Sequence, residues 1–500
     1  MRVLFDTNVL IYREDYNILP NSIQRLQKIL NEINNVKVLI HPSSLEEIEH
    51  DKNENRKRII RSKVCTYSLL EAPPRPENDY EYLGIVGSEA RINSKIDAKI
   101  LYSVYKNAVD FLITEDRGIH KRARQLGIED NVLLVEDALQ IFEKYVRKDE
   151  LVSPPALKNI PVHNLNLNDP IFDSLKEEYE EFSDWFMKIS KEGRMCWVHY
   201  RDNDAIGAIL IYKDEDEPIP SIPPFPKNKR FKICLFKVTD VGHKIGELFI
   251  KLSIDYCIKN DVPEMYLTHF TEAVDPLVEL ISEYGFLEVA ENQRGEKIFM
   301  KNLIPDRIAL RAMTPTKIIK DFYPNFYDGP KVGKFIVPIH PKWHDKLFTD
   351  FPGRKPRAEE INGEFIVEGN AIKKAYLSHS PIKKIKPGDI LLFYRTNPFK
   401  EITTLGTVES VHPEIEDEDQ IFKLVAKRTV YYQKEIQDMK KPILIILFRH
   451  HFHLKNYIAL DMLKKIGVLS GPPQSIVEIS HEDYIRIRER GDIDERYTVN

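Results

Sequence analysis

Between residues 1 and 150, short apolar runs alternate with segments of helical spacing, and this alternation constrains the fold more than any other feature of the chain. Arg2–Phe5 reads as a strand, Ile23–Ile33 as a helix and Lys37–His41 as a second strand. Ser43-Ser44 can cap the helix that starts at Leu45-Glu46-Glu47. A basic helix follows near Arg56–Lys63, then helix Ile96–Tyr105, strand Phe111–Thr114, helix Asp116–Leu126, strand Val132–Val135 and helix Ala138–Tyr145. Strands separated by helices predict a mostly parallel sheet covered on both faces.

Ser153-Pro154-Pro155 interrupts the pattern and reads as a linker. The 500 residues exceed what one core organises, about 250–300, and three domains are expected: 1–150, 160–305 and 331–500, with 306–330 as a connector. In the second, helix Phe172–Ser190 precedes strands Met195–Tyr200, Ala205–Tyr212, Lys232–Val238, Met265–Thr268 and Ile298–Lys301, with helices Gly246–Asn260 and Pro276–Tyr284 between them. The acidic, Pro-containing stretch Asp214–Pro226 is expected as an exposed loop. Past 331 strands dominate, at Phe335–Ile339, Glu364–Glu368, Ile390–Tyr394, Leu405–Val411, Phe422–Val430 and Ile443–Phe448, which predicts a small β-barrel. The acidic run Pro413–Asp419 reads as a solvated hairpin tip.

Net charge is -5, yet residues 331–500 hold 28 Lys+Arg against 24 Asp+Glu, which permits a polyanion partner without announcing one. The four cysteines, Cys65, Cys196, Cys234 and Cys257, include no C-x-x-C pair, which argues against a zinc ribbon and for a reducing compartment. MRVLFDTNVLIY reads as a strand and not as a signal peptide, and Ile443–Phe448 is too short to span a bilayer. A cytoplasmic location without membrane attachment is the expectation.

Four acids stand where an α/β sheet can collect them. Asp6 follows the first strand, Glu47 lies in a helix after the second, Asp97 opens a helix, and Asp116 follows Leu112-Ile113-Thr114. Ligands of open parallel sheets gather beyond the strands' carboxyl ends. Grouped carboxylates repel one another and call for a cation, and oxygen donors suit Mg²⁺ or Mn²⁺. Asn8 and Thr114 are placed to orient the carboxylates. Asp6-Thr7-Asn8-Val9-Leu10, the helix with Glu46-Glu47, Ile96-Asp97-Ala98-Lys99-Ile100 and Leu112-Ile113-Thr114-Glu115-Asp116 resemble the motifs of the PIN domain over residues 1 to about 145. The resemblance implies a Mg²⁺ or Mn²⁺ ribonuclease acting in RNA processing or as a toxin, with Asp6, Glu47, Asp97 and Asp116 as metal ligands; Glu46 competes with Glu47. Arg56, Lys57, Arg58, Arg61 and Lys63, then Arg117, His120, Lys121, Arg122 and Arg124, form basic clusters able to attract RNA phosphates.

In the middle segment, strand Ile233–Val238 runs into Thr239-Asp240-Val241-Gly242-His243-Lys244-Ile245-Gly246 and a helix. Glycines at such a turn let backbone amides approach a pyrophosphate. With Met265–Thr268, Glu279–Tyr284 and Tyr284-Gly285-Phe286 downstream, residues 165–303 resemble the GNAT acetyltransferases. That resemblance implies acetyl-CoA held at Val238, Val241, Gly242, His243, Lys244, Ile245 and Gly246, and Tyr284 as general acid. Lys244 stands where the family often has glycine.

In the last segment, Gly369-Asn370-Ala371-Ile372-Lys373-Lys374, Ile385-Lys386-Pro387-Gly388-Asp389-Ile390 and Ile402–Val408 resemble PUA-like barrels, ASCH domains in particular. This implies RNA binding, with Lys373, Lys374, Lys383, Lys384, Arg395 and Tyr394 as phosphate and stacking contacts. Trp343-His344 and His450-His451-Phe452-His453 are read as ordinary strand and rim histidines, since no acid or cysteine stands at ligand spacing; in a regular strand His451 and His453 share a face. The expectation is a multidomain α/β chain with a PIN-like parallel sheet, a GNAT-like mixed sheet and a PUA-like barrel. Its expected activity is metal-dependent endoribonuclease, with RNA and an antitoxin or regulatory protein as partners. The alternative is an N-acetyltransferase acting on an RNA-linked or protein amine, with the PIN-like unit gripping RNA.

Overall fold

The computed structural model describes every residue except 10–20, 34–35, 50–56, 58–63, 65–66, 88–91, 147–155, 202–203, 240–243, 273–274, 353–363, 367–370, 429 and 432. The chain divides into two compact units. The first is Met1–Leu151 with Glu416–Met439, and the second is Val152–Ile415 with Lys440–Asn500.

The first unit holds β1 (Arg2–Phe5), α1 (Asn21–Glu32), β2 (Lys37–Ile40), α2 (Pro42–Glu49), β3 (Ser68–Leu69), α3 (Ile92–Tyr105), β4 (Phe111–Ile113), α4 (Arg117–Gln125), β5 (Val132–Leu133) and α5 (Val135–Val146). The strands pair in the order β3-β2-β1-β4-β5, all parallel. Val3, Leu4 and Phe5 are all buried, as are Phe111, Leu112 and Ile113, because helices cover both faces. Val3, Phe5, Phe111 and Ile113 pack with α1 and α5, while Leu4 and Leu112 pack with α3 and α4. Asp97 lies in the second turn of α3 and does not open it, since the helix starts at Ile92.

Residues 416–439 overturn two expectations. The stretch Phe422–Val430 is not a strand: Glu418–Val425 is a helix capped by the Asp417 side chain on the Gln420 amide. Its apolar spacing, Ile421, Phe422 and Val425, is helical, and these residues are buried. Phe422 enters the first unit's core against Phe111, Phe142 and Tyr145, with ring centroids at 6.2, 6.3 and 4.8 Å. Nor is Pro413–Asp419 simply a solvated tip, because Asp419 meets the Met1 amino group at 3.2 Å.

The second unit carries a nine-stranded sheet. Its elements are β6 (Ala156–Pro161), β7 (Met195–Tyr200), β8 (Ile206–Ile219), β9 (Ser221–Ile222), β10 (Phe225–Val238), α6 (Ile245–Lys259), β11 (Glu264–His269), α7 (Pro276–Glu283), β12 (Leu287–Asn292) and β13 (Lys297–Asn302). The expected loop at 214–226 is mostly a long hairpin of β8 and β10. Charged residues sustain it in strand form: Arg230 lies opposite Glu215, is 2% exposed and pairs with Glu264 at 2.8 Å.

After β14 (Phe326–Tyr327) come β15 (Lys334–Ile339), α8 (Pro341–Leu347), β16 (Glu364–Ile366), β17 (Lys373–Ser378), β18 (Ile390–Arg395), β19 (Glu401–Ile415), β20 (Ile443–Ala459), β21 (Val477–Ile479) and β22 (Thr498–Val499). Six of these form a sheet ordered β17-β20-β19-β18-β15-β21, whose ladder has two edges among the described residues. β16 joins the nine-stranded sheet beside β6. The connector is anchored too, since β14 pairs with β22. One apolar core runs across the expected 305/331 boundaries, taking in α6 together with Tyr323, Ile372 and Tyr497. No helix among the described residues is long and apolar enough to cross a membrane.

Candidate functional site

Strand order fixes the first site. The chain moves from β1 outward to β2 and β3, then returns to β4 on the other side of β1. The gap beyond β1 and β4 is therefore the point where the winding reverses, which is where open parallel sheets bind ligands. Asp6 follows β1, and its amide donates to the Ile113 carbonyl at 3.0 Å; Asp116 lies three residues past β4.

The Thr114 hydroxyl ties the two together. It donates to Asp6 Oδ2 at 2.6 Å and accepts from the Asp116 amide at 3.0 Å and from Asn8 Nδ2 at 3.2 Å. Asn8 Oδ1 in turn accepts from the Glu115 amide at 3.3 Å. The other Asp6 oxygen accepts from the Thr7 amide at 2.7 Å. Asp116 also caps α4, accepting from the Ile119 amide at 2.9 Å. Thr114 and Asn8 thus occupy the orienting positions that the sequence reading gave them.

Burial pushes the Asp6 carboxyl up to about 7, against the hydrogen bonds from Thr114 and Thr7, and the charges of Glu47 and Asp116 add to the rise. Asp97 is likewise raised to about 7, by burial first and then by Asp6 and Asp116; Arg122, 3.6 Å away, opposes this and Glu47 adds to it. Asp97 thus senses the other three acids, and Asp6 senses Glu47 and Asp116. Of the neighbouring acids on α2, Glu47 is half-buried and coupled to the group, while Glu46 is exposed. Among the described residues no three of these carboxylates bring an oxygen within 4.8 Å of one another.

Sequence reasoning missed His41. The register sets Phe5 opposite Ile40, so His41 lies beside Asp6 at the same strand ends. Its Nδ1 accepts from the Ser43 amide at 3.1 Å, and burial, then Lys99, pushes it down to about 4. His41 Nε2, Thr7 Oγ1 and Ser44 Oγ are buried without a hydrogen-bond partner. The signal is a polar residue one step past an apolar strand, but its place beside Asp6 depends on the pairing register of β1 and β2.

The basic residues fare unevenly. Lys121 is exposed on α4. Arg122 faces Asp97. His120 is buried against the Thr114 carbonyl and kept neutral by burial. Arg58 and Arg61 lie outside the described residues.

The second unit has its own opening. β10 pairs in parallel with β11 only from Arg230 to Ile233; beyond that, β10 continues along β8 to Val238 and β11 along β13 to His269. The two parallel strands part, and α6 begins just past this fork, with Lys244 as its left-handed N-cap at φ 52°. Val238 ends β10, Ile245 is buried, and a Cβ on Gly246 would lie 2.7 Å from Leu280 of α7, so this glycine serves close helix packing. Val241, Gly242 and His243 lie outside the described residues.

Tyr284 is enclosed by its neighbours. It is 1% exposed, packs edge-on against Tyr323 at 6.5 Å and lies under the Arg449 guanidinium at 5.7 Å, and burial pushes its hydroxyl well up. In this arrangement Tyr284 packs as a core aromatic, with its hydroxyl enclosed.

Lys373 and Lys374 are corrected as phosphate contacts. The Lys373 amide donates to Glu247 at 2.9 Å, and its ammonium pairs with Glu283. Lys374 is 2% exposed, donates to the Leu347 carbonyl at 2.7 Å and is pushed by burial down to about 7. Tyr394 and Arg395 are also buried, Arg395 against Phe399 and Glu401, while Lys383 and Lys384 pair with Glu414 and Glu478 at the surface.

No protein-family model matches this chain, and no curated protein matches it. Its structural neighbours include ASCH domains and GNAT acetyltransferases. An ASCH protein from Zymomonas mobilis is 15% identical, with a TM-score of 0.24 over 31% of this chain and 94% of its own. The PaiA N-acetyltransferase from Thermoplasma acidophilum, in complex with coenzyme A, is 12% identical, with a TM-score of 0.22 over 29% of this chain and 98% of its own. A GNAT-family acetyltransferase from Listeria monocytogenes is 17% identical, with a TM-score of 0.17 over 22% of this chain and 64% of its own. The PIN-like resemblance of the first 145 residues has no counterpart among these three.

Proposed function

We propose that the first unit is a metal-dependent endoribonuclease centred on Asp6, Glu47, Asp97 and Asp116. The observation that carries this reading is the gathering of Asp6, Glu47, Asp97 and Asp116 near the point where the sheet's winding reverses, with Asp6 and Asp97 each raised in part by the charges of the others. Keeping both Asp6 and Asp97 ionised near neutral pH is costly without a further counter-ion. The donors are hard oxygens, and the buried hydroxyls of Thr7 and Ser44 lack partners beside them. That set fits Mg²⁺ or Mn²⁺, and such ions are held through one or two carboxylates with the remaining positions kept by water, so three oxygens need not close on one point. When bound, the ion supplies an acidified water and counter-charge for a phosphodiester.

The chain's own residues do the rest. Thr114 and Thr7 fix the Asp6 carboxylate, and Ile119 fixes one oxygen of Asp116, leaving the other for the site. Arg122 steadies Asp97. Lys121 and the basic stretch with Arg58 and Arg61 supply attraction for RNA phosphates despite the acids. The test is incubation of the full chain with total tRNA and mRNA, with and without Mn²⁺. Mn²⁺-dependent cleavage should fall at least about a hundredfold in Asp6→Asn and Asp116→Asn. Absence of Mn²⁺-dependent cleavage in the wild type, or cleavage undiminished in both variants, would overturn the reading.

One observation favours a second reading. The fork between β10 and β11 opens in front of α6, a crevice at strand ends beside a helix N-terminus that acetyl-CoA can enter. On this reading the second unit transfers acetyl to an RNA-linked or protein amine, and the first unit grips RNA. Labelled acetyl-CoA in the same incubation separates the two: label transfer without cleavage supports this one.

A further inference from the structure

The buried histidines of β20 are not spaced as a regular strand would space them. Residues three apart point to opposite faces in a regular strand. Between Leu405↔Phe452 and Gly406↔His450, however, β19 advances one residue while β20 advances two. His451 is the extra residue of a β-bulge, and the bulge turns His450 and His453 onto one side. His451 goes the other way, bonding the Thr407 hydroxyl and the Pro324 carbonyl, each at 2.8 Å. The expected sharing of a face by His451 and His453 is corrected accordingly.

Asp350, just past α8, completes the group. Nitrogen and oxygen atoms of Asp350, His450 and His453 all lie within 4.8 Å of one another. This is the acid that linear spacing concealed, because it arrives from a hundred residues upstream. His453 Nδ1 meets the Thr404 hydroxyl at 2.8 Å, which fixes the ring and turns Nε2 toward Asp350 Oδ1 at 3.2 Å. Asp350 Oδ2 accepts from Lys251 at 2.6 Å, which orients the carboxylate and leaves Oδ1 to the group. Phe348 and Phe351 wall the group in, with ring centroids 5.3 Å from His450 and 5.3 Å from His453 respectively. Asp350 is 24% exposed and provides the way in.

A protonated His453 paired with Asp350 would account for that 3.2 Å contact. It would leave His450 unexplained: the residue is 1% exposed, and neither ring nitrogen has a hydrogen-bond partner. Buried unpartnered polar atoms are costly and rare. One bound cation would use the unpartnered His450 nitrogen together with His453 Nε2 and Asp350 Oδ1, taking the place of the 3.2 Å contact between the last two.

We propose that Asp350, His450 and His453 form a binding site for a first-row divalent transition metal such as Zn²⁺, with two imidazoles and one carboxylate as ligands and a further position open to water or ligand. Two nitrogens and one oxygen match Zn²⁺ or Co²⁺ and not Mg²⁺, so this site is chemically distinct from the all-oxygen acids of the first unit. Thr404 and Lys251 are its outer supports.

The test uses the full chain carrying Asp6→Asn, so that the first unit's acids do not dominate uptake. The protein is stripped with chelator and titrated with Co²⁺ and with Zn²⁺. The expected result is one tight equivalent, a Co²⁺ visible spectrum of nitrogen-ligated type and a rise in thermal unfolding temperature with Zn²⁺. Adding His450→Gln or Asp350→Asn should weaken binding at least about tenfold and abolish that spectrum, while His451→Gln keeps both. Asp350 is partly exposed, so its variant decides the matter if the His450 variant fails to fold. No uptake in the parent, or uptake unchanged in Asp350→Asn, would overturn the proposal.

Discussion

Replacing Asp6 by Asn should stabilise the metal-free protein at alkaline pH, although it removes a residue at the centre of the candidate nuclease site. In the folded chain the Asp6 carboxyl is raised from the ordinary 3.8 to about 7. The folded state therefore binds this proton more tightly than the unfolded state, so stability is full below about pH 4, falls as pH rises toward 7 and is level above that. At about 1.4 kcal/mol per pH unit, the charge costs on the order of 4 kcal/mol at pH 8. Part of that cost is shared with Asp97, whose proton is coupled to the same group. Asn also disturbs the bond from Thr114, whose hydroxyl already accepts from Asn8 and the Asp116 amide and so is poorly placed to accept a third donor, a loss of about 1 kcal/mol. The net gain at pH 8 should be about 2 kcal/mol, and near pH 4.5 it should vanish or turn into a small loss. Urea-dependent hydrogen exchange on peptides covering β1 and β4, in chelator at both pH values, measures it. A destabilised variant at pH 8, or a gain of equal size at both pH values, would refute the account of repelling buried charges. Mn²⁺ should narrow the difference by stabilising the wild type more than the variant.

The remaining expectations are simpler. Glu47→Gln should reduce Mn²⁺-dependent RNA cleavage at least about tenfold while the more exposed Glu46→Gln stays within about threefold of wild type, read from initial rates, because Glu47 couples to Asp6 and Asp97. Tyr284→Phe should leave any acetyl transfer within about threefold, since the ring is enclosed by Tyr323 and Arg449. Phe422→Ala should destabilise the first unit by about 3–5 kcal/mol, detected as faster exchange at Phe111 and Phe142 in native-state hydrogen exchange.

The placement of Asp6, Asp97 and Asp116 near one another was legible because they follow strands or sit in helices that a parallel sheet must gather, and the contacts of Thr114 and Asn8 were legible for the same reason. His41 was not, because its place depends on the register of β1 against β2. Lys373 and Lys374 misled because a basic pair in a loop-like stretch reads as surface, while the fold buries them against Glu247, Glu283 and the Leu347 carbonyl. The His450–Asp350 contact was hidden twice, once by a bulge that changes strand parity and once by the sequence distance to Asp350. The helix Glu418–Val425 was missed because a run rich in Phe, Leu and Val favours a strand by composition, while its 3.6-residue spacing favours a helix.

Because residues 416–439 leave the β19–β20 hairpin of one unit to complete the core of the other, the polypeptide crosses from unit to unit at three places, near 151, 415 and 439. A chain broken near 151 would therefore still be held together where Phe422 sits in its ring of aromatics. A gene truncated after codon 150 would yield a sheet with part of its apolar face bare. The two halves are in this sense co-inherited: neither can be shuffled to a new partner by a single cut.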